Sequence, residues 1–249
     1  MKKTSLTILI LGVFTCVQLN AQENFFPAIN VEFEKTTNVR ALMKDLQEGN
    51  SWYEMNKERY PVSLLSYYEF TGDSTHSLYK PGREVPLDPK IFYRPIADKN
   101  VVYTDYSRGI SISQKPVYEE TFLVEDSLLK IKWKLTGDLR TIAGYDCRKA
   151  IGILNDSIAI FAFYTDQLMV SGGPEGVQGL PGMILGMGIP RLHATWFATK
   201  VEVYGVNTSK LHPEKKGKKV TRASLMDALS NIAKNWGSYG SKMLINFII

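Results

Sequence analysis

The sequence is poor in the residues from which metal and catalytic sites are usually built. Its 249 residues include only two cysteines and three histidines. The first cysteine, Cys16, lies in an N-terminal segment that we expect to be removed. Cys147 is then the single cysteine of the mature chain, which excludes an internal disulfide. No C-x-x-C or H-x-x-x-H spacing supports a set of metal ligands.

Motifs of the common enzyme classes are also absent. There is no G-x-S-x-G elbow, no H-E-x-x-H and no G-x-x-x-x-G-K-[ST]. Gly186 and Gly188 begin a dinucleotide-like pattern, but Arg191 occupies the position of its third glycine. Neighbouring carboxylates such as Glu119 and Glu120 fall on predicted edge or turn segments, where solvated charges are the simpler interpretation. We therefore assign no catalytic residue.

Charge of one sign does not dominate the chain. The sequence has 30 basic and 25 acidic residues, a net charge of +5, and loss of Lys2 and Lys3 lowers it to +3. No basic stripe is interleaved with aromatic residues, so nucleic acid is not expected as a partner. One basic patch remains at 210–222, and a solvated loop or hairpin tip is its simplest interpretation. The alternative is peripheral contact with an anionic membrane surface through Lys215, Lys216, Lys218 and Lys219.

The first 21 residues have the layout of a secretory signal peptide. Lys2 and Lys3 precede an apolar run at 6–17, which is too short to span a bilayer. A plausible cleavage site follows at 19–21, before Gln22. We therefore predict an exported protein of the periplasm or outer cell envelope, with residues 22–249 forming a single β-rich domain. No low-complexity linker interrupts it.

Hydrophobic periodicity predicts a β-rich α+β fold. Alternating apolar and polar residues at 28–35 indicate a strand, and a helix follows, with Val39, Leu42, Met43 and Leu46 on one face. Short β-type segments then fill 101–164, including 128–135, with turns such as 136–138 between them. Turns of two to four residues favour one large, curved, antiparallel meander. A second helix is predicted at 224–236, and 244–249 is predicted as a strand or apolar tail. The two helices would pack against the sheet, whose concave face needs a cover or a ligand.

Two side chains are candidates for chemistry. Cys147 and His193 would form a nucleophile and base, or two metal ligands, if the fold brought them together. Thioethers of Met183 or Met187 would then favour a soft ion such as copper(I). The simpler interpretation is that Cys147 is a packed strand residue and His193 a satisfied residue at a strand end.

Adjacent aromatic residues give a second route to a site. Strand alternation sends one member of Tyr67-Tyr68, and one member of Trp196-Phe197, to each face of the sheet. Core packing is the default role of such rings. A lining of the concave face that contacts a ligand is the alternative.

Residues 172–188, GGPEGVQGLPGMILGMG, predict a compact, turn-rich approach to a strand, with a bulge near Gly186 and Gly188. Within this stretch GLPGMI resembles the signature of the GLPGLI family, and the segment IAGYDCRKA at 142–150 strengthens the resemblance. The matching positions are Gly179, Leu180, Pro181, Gly182, Met183 and Ile184, with Tyr145 and Cys147 upstream. The similarity covers about residues 100–205. It implies an exported protein of Bacteroidota type and no particular activity.

Several functions remain open at this point. The leading hypothesis is an exported, non-enzymatic binding or carrier protein, whose curved sheet holds an apolar ligand or an envelope protein. Its plan would be similar to that of LolA/LolB-type lipoprotein carriers. The first alternative is an envelope metal-handling protein that uses Cys147 and His193, and the second is an unrecognised hydrolase. No cofactor is expected beyond that transition metal.

Overall fold

The computed structural model describes residues 27–47, 49–86, 93, 95–117, 119–154, 157–234, 240 and 242–248. The predicted signal peptide lies outside this part of the chain. The strands are β1 (Ala28–Thr37), β2 (Leu64–Asp73), β3 (His76–Pro81), β4 (Val101–Asp105), β5 (Ile110–Val117), β6 (Glu120–Ser127), β7 (Lys134–Ile142), β8 (Tyr145–Leu154), β9 (Ile158–Thr165), β10 (Met183–Ile189), β11 (Ala194–Glu202) and β12 (Lys218–Val220). The helices are α1 (Val39–Leu46), α2 (Ser51–Asn56), α3 (Arg222–Lys234) and α4 (Ile245–Ile248). Three 3-10 turns lie at Lys57–Arg59, Pro174–Gly176 and Pro190–Leu192.

The twelve strands found among the described residues belong to one sheet, in the order β12-β6-β5-β4-β3-β2-β1-β11-β10-β9-β8-β7. The prediction of a large, mostly antiparallel sheet with few helices is therefore confirmed. The sheet consists of two meanders, β1 to β6 and β7 to β11, which join where β1 pairs with β11. β12 adds a parallel pairing to β6. The expected single up-and-down order is wrong, because consecutive strands β6 and β7 lie far apart in the sheet.

Residues 128–133 explain this departure from a single meander. The sequence predicts them as part of a strand, but their backbone does not pair with the sheet. Their side chains pack on the face of the sheet instead. Leu129 is buried in the main core. Trp133 and Ile131 pack over Gly152, where a Cβ atom would lie 2.9 Å from the Trp133 ring. The indole of Trp133 donates a hydrogen bond to the Gln178 carbonyl at 3.1 Å. A period-two pattern of apolar residues therefore served packing here, not pairing.

Two other local predictions are also corrected. Residues 136–138 form a bulge within β7, not a turn, because Lys149 holds them in place. Its carbonyl accepts from the Thr136 hydroxyl at 3.2 Å, and its ammonium donates to Asp138 at 2.9 Å. The C-terminal segment, predicted as a strand or apolar tail, contains helix α4, and its Ile245 and Phe247 are buried.

The inner face of the sheet carries the core, and a loop and two helices are among the elements that cover it. The connection from β9 to β10 lies across the middle. Helix α1 covers one side through the four residues predicted for its apolar face, which are all buried. Helix α3 packs Leu225 and Leu229 against Phe122 and Val124 of β6. Within the described ranges, no helix is long and apolar enough to cross a membrane.

The predicted bulge in the glycine-rich stretch is confirmed. The register of β10 against β9 shifts between Ile184 and Gly186. On the outer face, the Phe161 ring lies over Gly188, and the Phe197 ring over Gly186 at 2.8 Å from the position a Cβ would occupy. Glycine thus leaves room for aromatic rings that run flat along the sheet.

Candidate functional site

The connection between β9 and β10 carries an acidic residue into the centre of the inner face. A Cβ atom on Gly172 (φ +136°) would lie 3.0 Å from the Phe70 ring. A Cβ atom on Gly176 (φ +73°) would lie 2.9 Å from Val102. Larger residues would hold the connection away from β2 and β4. Between these glycines, Glu175 takes a left-handed conformation, with φ of 55°. Such a conformation is costly for a non-glycine residue, and strained positions of this kind concentrate at functional sites.

Glu175 is the centre of a buried polar network. Its carboxylate accepts a hydrogen bond from Asn100 Nδ2 at 3.1 Å and another from the Tyr79 hydroxyl. That hydroxyl accepts in turn from the Trp196 indole at 3.2 Å. The ammonium groups of Lys35, from β1, and Lys115, from β5, act on the carboxylate as neighbouring charges. These residues, together with Tyr68, form what we call the Glu175 cluster.

Burial governs the protonation of the cluster. It raises the pKa of the Glu175 carboxyl, although both lysines act in the opposite direction. It lowers the pKa of Lys115 to about 8, and it lowers that of Lys35. In each case removal from water disfavours the charged form. A carboxyl and two amines with displaced pKa values in one place are typical of functional sites.

Aromatic rings form one wall of the cluster. Lys35 Nζ lies 4.8 Å from the centre of the Trp196 ring and 5.8 Å from that of Tyr68. Tyr68 stacks on Tyr79, with ring centres 5.1 Å apart. Tyr68 and Trp196 face inward, whereas their neighbours Tyr67 and Phe197 lie on the outer face. The predicted alternation of the two aromatic pairs is therefore confirmed.

Small cavities adjoin Glu175 on two sides. One, of about 20 Å³, is lined by Lys35, Asn100, Trp196 and Asn246, under Ile96 and Ala97. The other, of similar volume, lies toward Lys115 and Arg222. Each has room for about one water molecule. Asn100 Oδ1 is buried and has no hydrogen-bond partner among the described residues. The cluster can thus offer hydrogen bonds and ring faces to a ligand, and its described part is closed.

Cys147 and His193 are not brought together. Ala150, Ala162, Met187 and Trp196 form one row across β8, β9, β10 and β11. Cys147 lies three residues before this row in β8 and His193 three residues before it in antiparallel β11, so the two are roughly 20 Å apart along the strands. No group of three His, Cys, Asp or Glu side chains suited to a metal ion occurs in the described ranges.

The surroundings of each residue explain its role. Cys147 is fully buried, its thiol donates to the Tyr145 carbonyl at 3.5 Å, and burial raises its pKa to about 11. Such a thiol is not a thiolate at neutral pH. His193 contacts Asp45 of α1, with Nε2 and Oδ2 2.6 Å apart. This pair ties the turn before β11 to the helix.

The residues of the family motif have structural surroundings. Met183 and Ile184 are buried in β10, Leu180 is buried before it, and Gly182 has φ of +120° against the backbone of Thr165. Pro181 is exposed, Gly179 (φ +97°) faces the Trp133 ring, and Tyr145 is half-buried. The residue that sequence reasoning missed as a site is Glu175. Its signal was an acidic residue between Gly-Pro and Gly, in a stretch with no other charged residue.

The model of one protein family, described as "N-glycanase peptide, N-terminal domain" (PNGase F-II N), matches residues 98–230, a little over half of the chain. Two crystal structures of PNGF-II have a similar fold. The one in space group C2 has a TM-score of 0.50 at 16% identity, and the one in P21 has 0.52 at 15%. Each match covers 85% of this chain, which spans only 33% and 34% of those two chains. No curated protein matches the sequence significantly.

Proposed function

Because the chain belongs to the family of N-glycanase peptide N-terminal domains, we propose that it is an exported, non-enzymatic domain that binds a glycan at the Glu175 cluster. One observation carries the proposal: a strained, buried carboxylate, an unsatisfied amide oxygen and two inward-facing aromatic rings converge beside cavities on the inner face. Ligand sites of proteins combine apolar and aromatic walls with a few fixed polar groups in this way.

Binding accounts for the cluster better than catalysis does. Glycoside hydrolysis generally uses two carboxyl groups that flank the scissile bond. Here the charges of Lys35 and Lys115 act on Glu175, and the Glu175 cluster contains no second carboxyl group. A hydroxyl-rich ligand would instead use Asn100 and Glu175 as hydrogen-bond acceptors and the face of Trp196 as a platform for the apolar side of a sugar ring.

A sugar ring is larger than either cavity. The cover over the Trp196 side consists of Ile96, Ala97 and Asn246. Glycan binding therefore requires this cover to move outward, which would join the cavity to the neighbouring one beneath Leu42, Leu64 and Leu192. The closed form described above would be the ligand-free state.

The test is titration calorimetry with a free N-linked glycan, with maltose as the control sugar. The matched variants are Asn100→Leu, which removes the inner amide oxygen that has no partner among the described residues, and Asn30→Leu, which removes an outer amide that donates to Glu69 and Thr71. We expect Asn100→Leu to weaken glycan binding about five- to tenfold, the worth of one hydrogen bond. Asn30→Leu should bind normally. Equal loss in both variants, or no binding by the wild type, refutes the proposal.

An apolar ligand is the second candidate, since Leu42, Leu64 and Leu192 contribute to the lining of the adjoining cavity. This is the carrier role expected from the missing catalytic motifs, the curved sheet and the aromatic residues. It predicts that a fluorescent fatty acid binds and that the free glycan does not displace it. We further propose that the GLPGLI signature and the N-glycanase peptide N-terminal domain describe the same fold, in which the motif secures the approach to β10.

A further inference from the structure

The edge of the sheet formed by β12 carries a group of basic residues that the cluster does not use. We call Lys215, Lys216, Lys218 and Lys219 the basic edge. All four are exposed. None forms an ion pair with a carboxylate of the described residues. Three lysines elsewhere on the sheet do form ion pairs, namely Lys80 with Glu69 at 3.2 Å, Lys149 with Asp138 at 2.9 Å, and Lys200 with Glu202.

The backbone of the basic edge is held in place on both sides. The Lys216 carbonyl accepts a hydrogen bond from Gln114 at 2.8 Å, and β12 pairs with β6 from Lys218 to Val220. Gly217, with φ of +145°, approaches β6 so closely that a Cβ would lie 3.0 Å from the Leu123 nitrogen. The ammonium groups are therefore presented from a fixed platform, which reduces the ordering that a partner must impose.

Protection of the sheet edge does not explain this concentration of charge. Lysines on edge strands do prevent aggregation between sheets. β12, however, has only three residues, and Lys215 and Lys216 precede it. The opposite edge, β7, is nine residues long and exposes Leu135 and Leu139 at 56% and 75%. If protection governed the placement of lysine, the longer strand β7, which contains only Lys134, would need more lysines than β12.

We propose that the basic edge docks the domain onto the anionic headgroups of a lipid bilayer. Four uncompensated ammonium groups on one rigid edge match the negative surface of such a membrane. Each lysine near an anionic surface strengthens binding by a factor of about five. The basic edge lies on the far side of β6 from the Glu175 cluster. Docking therefore leaves that cluster unoccupied, and the two proposals can be tested separately.

The experiment measures sedimentation of the exported, processed protein with vesicles. One set of vesicles contains equal parts of phosphatidylglycerol and phosphatidylcholine, and the other contains phosphatidylcholine alone. We expect binding to the anionic set only, and its loss near 1 M salt, where the Debye length shrinks to about 3 Å. Binding to both sets, or persistence of binding in high salt, overturns the proposal.

Two variants of equal net charge separate the basic edge from general basicity. The first changes all four of its lysines to glutamine. The second changes four exposed lysines elsewhere, namely Lys44, Lys130, Lys132 and Lys134. The partition coefficient should fall at least a hundredfold in the first variant and less than fivefold in the second. Equal effects of the two sets of substitutions contradict a localised docking surface. The proposal is also overturned if the wild type binds a soluble anionic polysaccharide in preference to the anionic vesicles. Both lysine variants should bind the free glycan as the wild type does in titration calorimetry. A loss of vesicle binding alone therefore tests the basic edge and not the proposed glycan site.

Discussion

Replacement of Gly182 by alanine should destabilise the fold severely. The residue has φ of +120°, and its Cβ would press against the Thr165 carbonyl oxygen and lie 2.9 Å from the carbonyl carbon. Backbone strain at such an angle costs about 1–3 kcal/mol. The clash adds about 1–3 kcal/mol, because the neighbour is the backbone of β9 and cannot rotate away. The sum, about 2–6 kcal/mol, is a large share of the 5–15 kcal/mol typical of a domain.

Alanine substitutions at two other glycines separate the free energy of backbone strain from that of the steric clash. Gly144 (φ +86°) has nothing within 4 Å of its Cβ position, so Gly144→Ala should cost only the strain of a left-handed residue, about 1–2 kcal/mol. Gly137 has neither a positive φ nor a close neighbour, and Gly137→Ala should change stability by less than about 0.5 kcal/mol. Urea unfolding of the three variants measures these differences. If Gly182→Ala unfolds within about 1 kcal/mol of Gly144→Ala, the clash with β9 is not real. A stable Gly182→Ala protein that loses only ligand binding would show that the motif acts in function, not in folding.

Further predictions concern the buried and paired groups. Glu175→Gln removes the buried negative charge that acts on Lys35 and Lys115 and should lower the free energy of unfolding by about 1–3 kcal/mol, measured in urea; a neutral result would contradict the network. In the wild type the pKa of Lys115 is lowered from 10.5 to about 8. The unfolded chain therefore binds more protons between these values, and stability should rise with pH across that window. Lys115→Met should reduce the rise, and an unaltered pH profile would count against it. Cys147 should react with Ellman's reagent only after unfolding, and rapid labelling of the native protein would disprove its burial. His193→Asn should cost at most about 1 kcal/mol, since its partner Asp45 is exposed to solvent, and metal content should not change.

The sequence predicted local secondary structure and the direction of individual side chains well. The apolar face of α1 and the inward and outward members of the two aromatic pairs follow from periodicity, which depends only on backbone geometry. The bulge in β10 follows from closely spaced glycines. Each of these features is decided by neighbours within a few residues, and each is present in the structure.

Residues 128–135 show where such reasoning stops. Their pattern suits a paired strand, but whether Ile131 and Trp133 pair along an edge or pack over Gly152 depends on which strand lies beside them. The same limit explains why the hypothesis that Cys147 and His193 meet in one site is wrong. Both residue types suit chemistry, but the antiparallel row between β8 and β11 carries them to opposite ends of the strands.

The sequence by itself determined that this is a β-rich chain with helices near each end, and that the glycines of the 172–188 stretch serve a turn and a bulge. These outcomes depend on local sterics and on the period of apolar residues. Only the tertiary structure decided that two meanders join through β1 and β11, and that Glu175 meets Lys35, Asn100 and Lys115. Those residues lie as many as 140 positions apart along the chain, and long-range burial, not local propensity, selects which of them become neighbours.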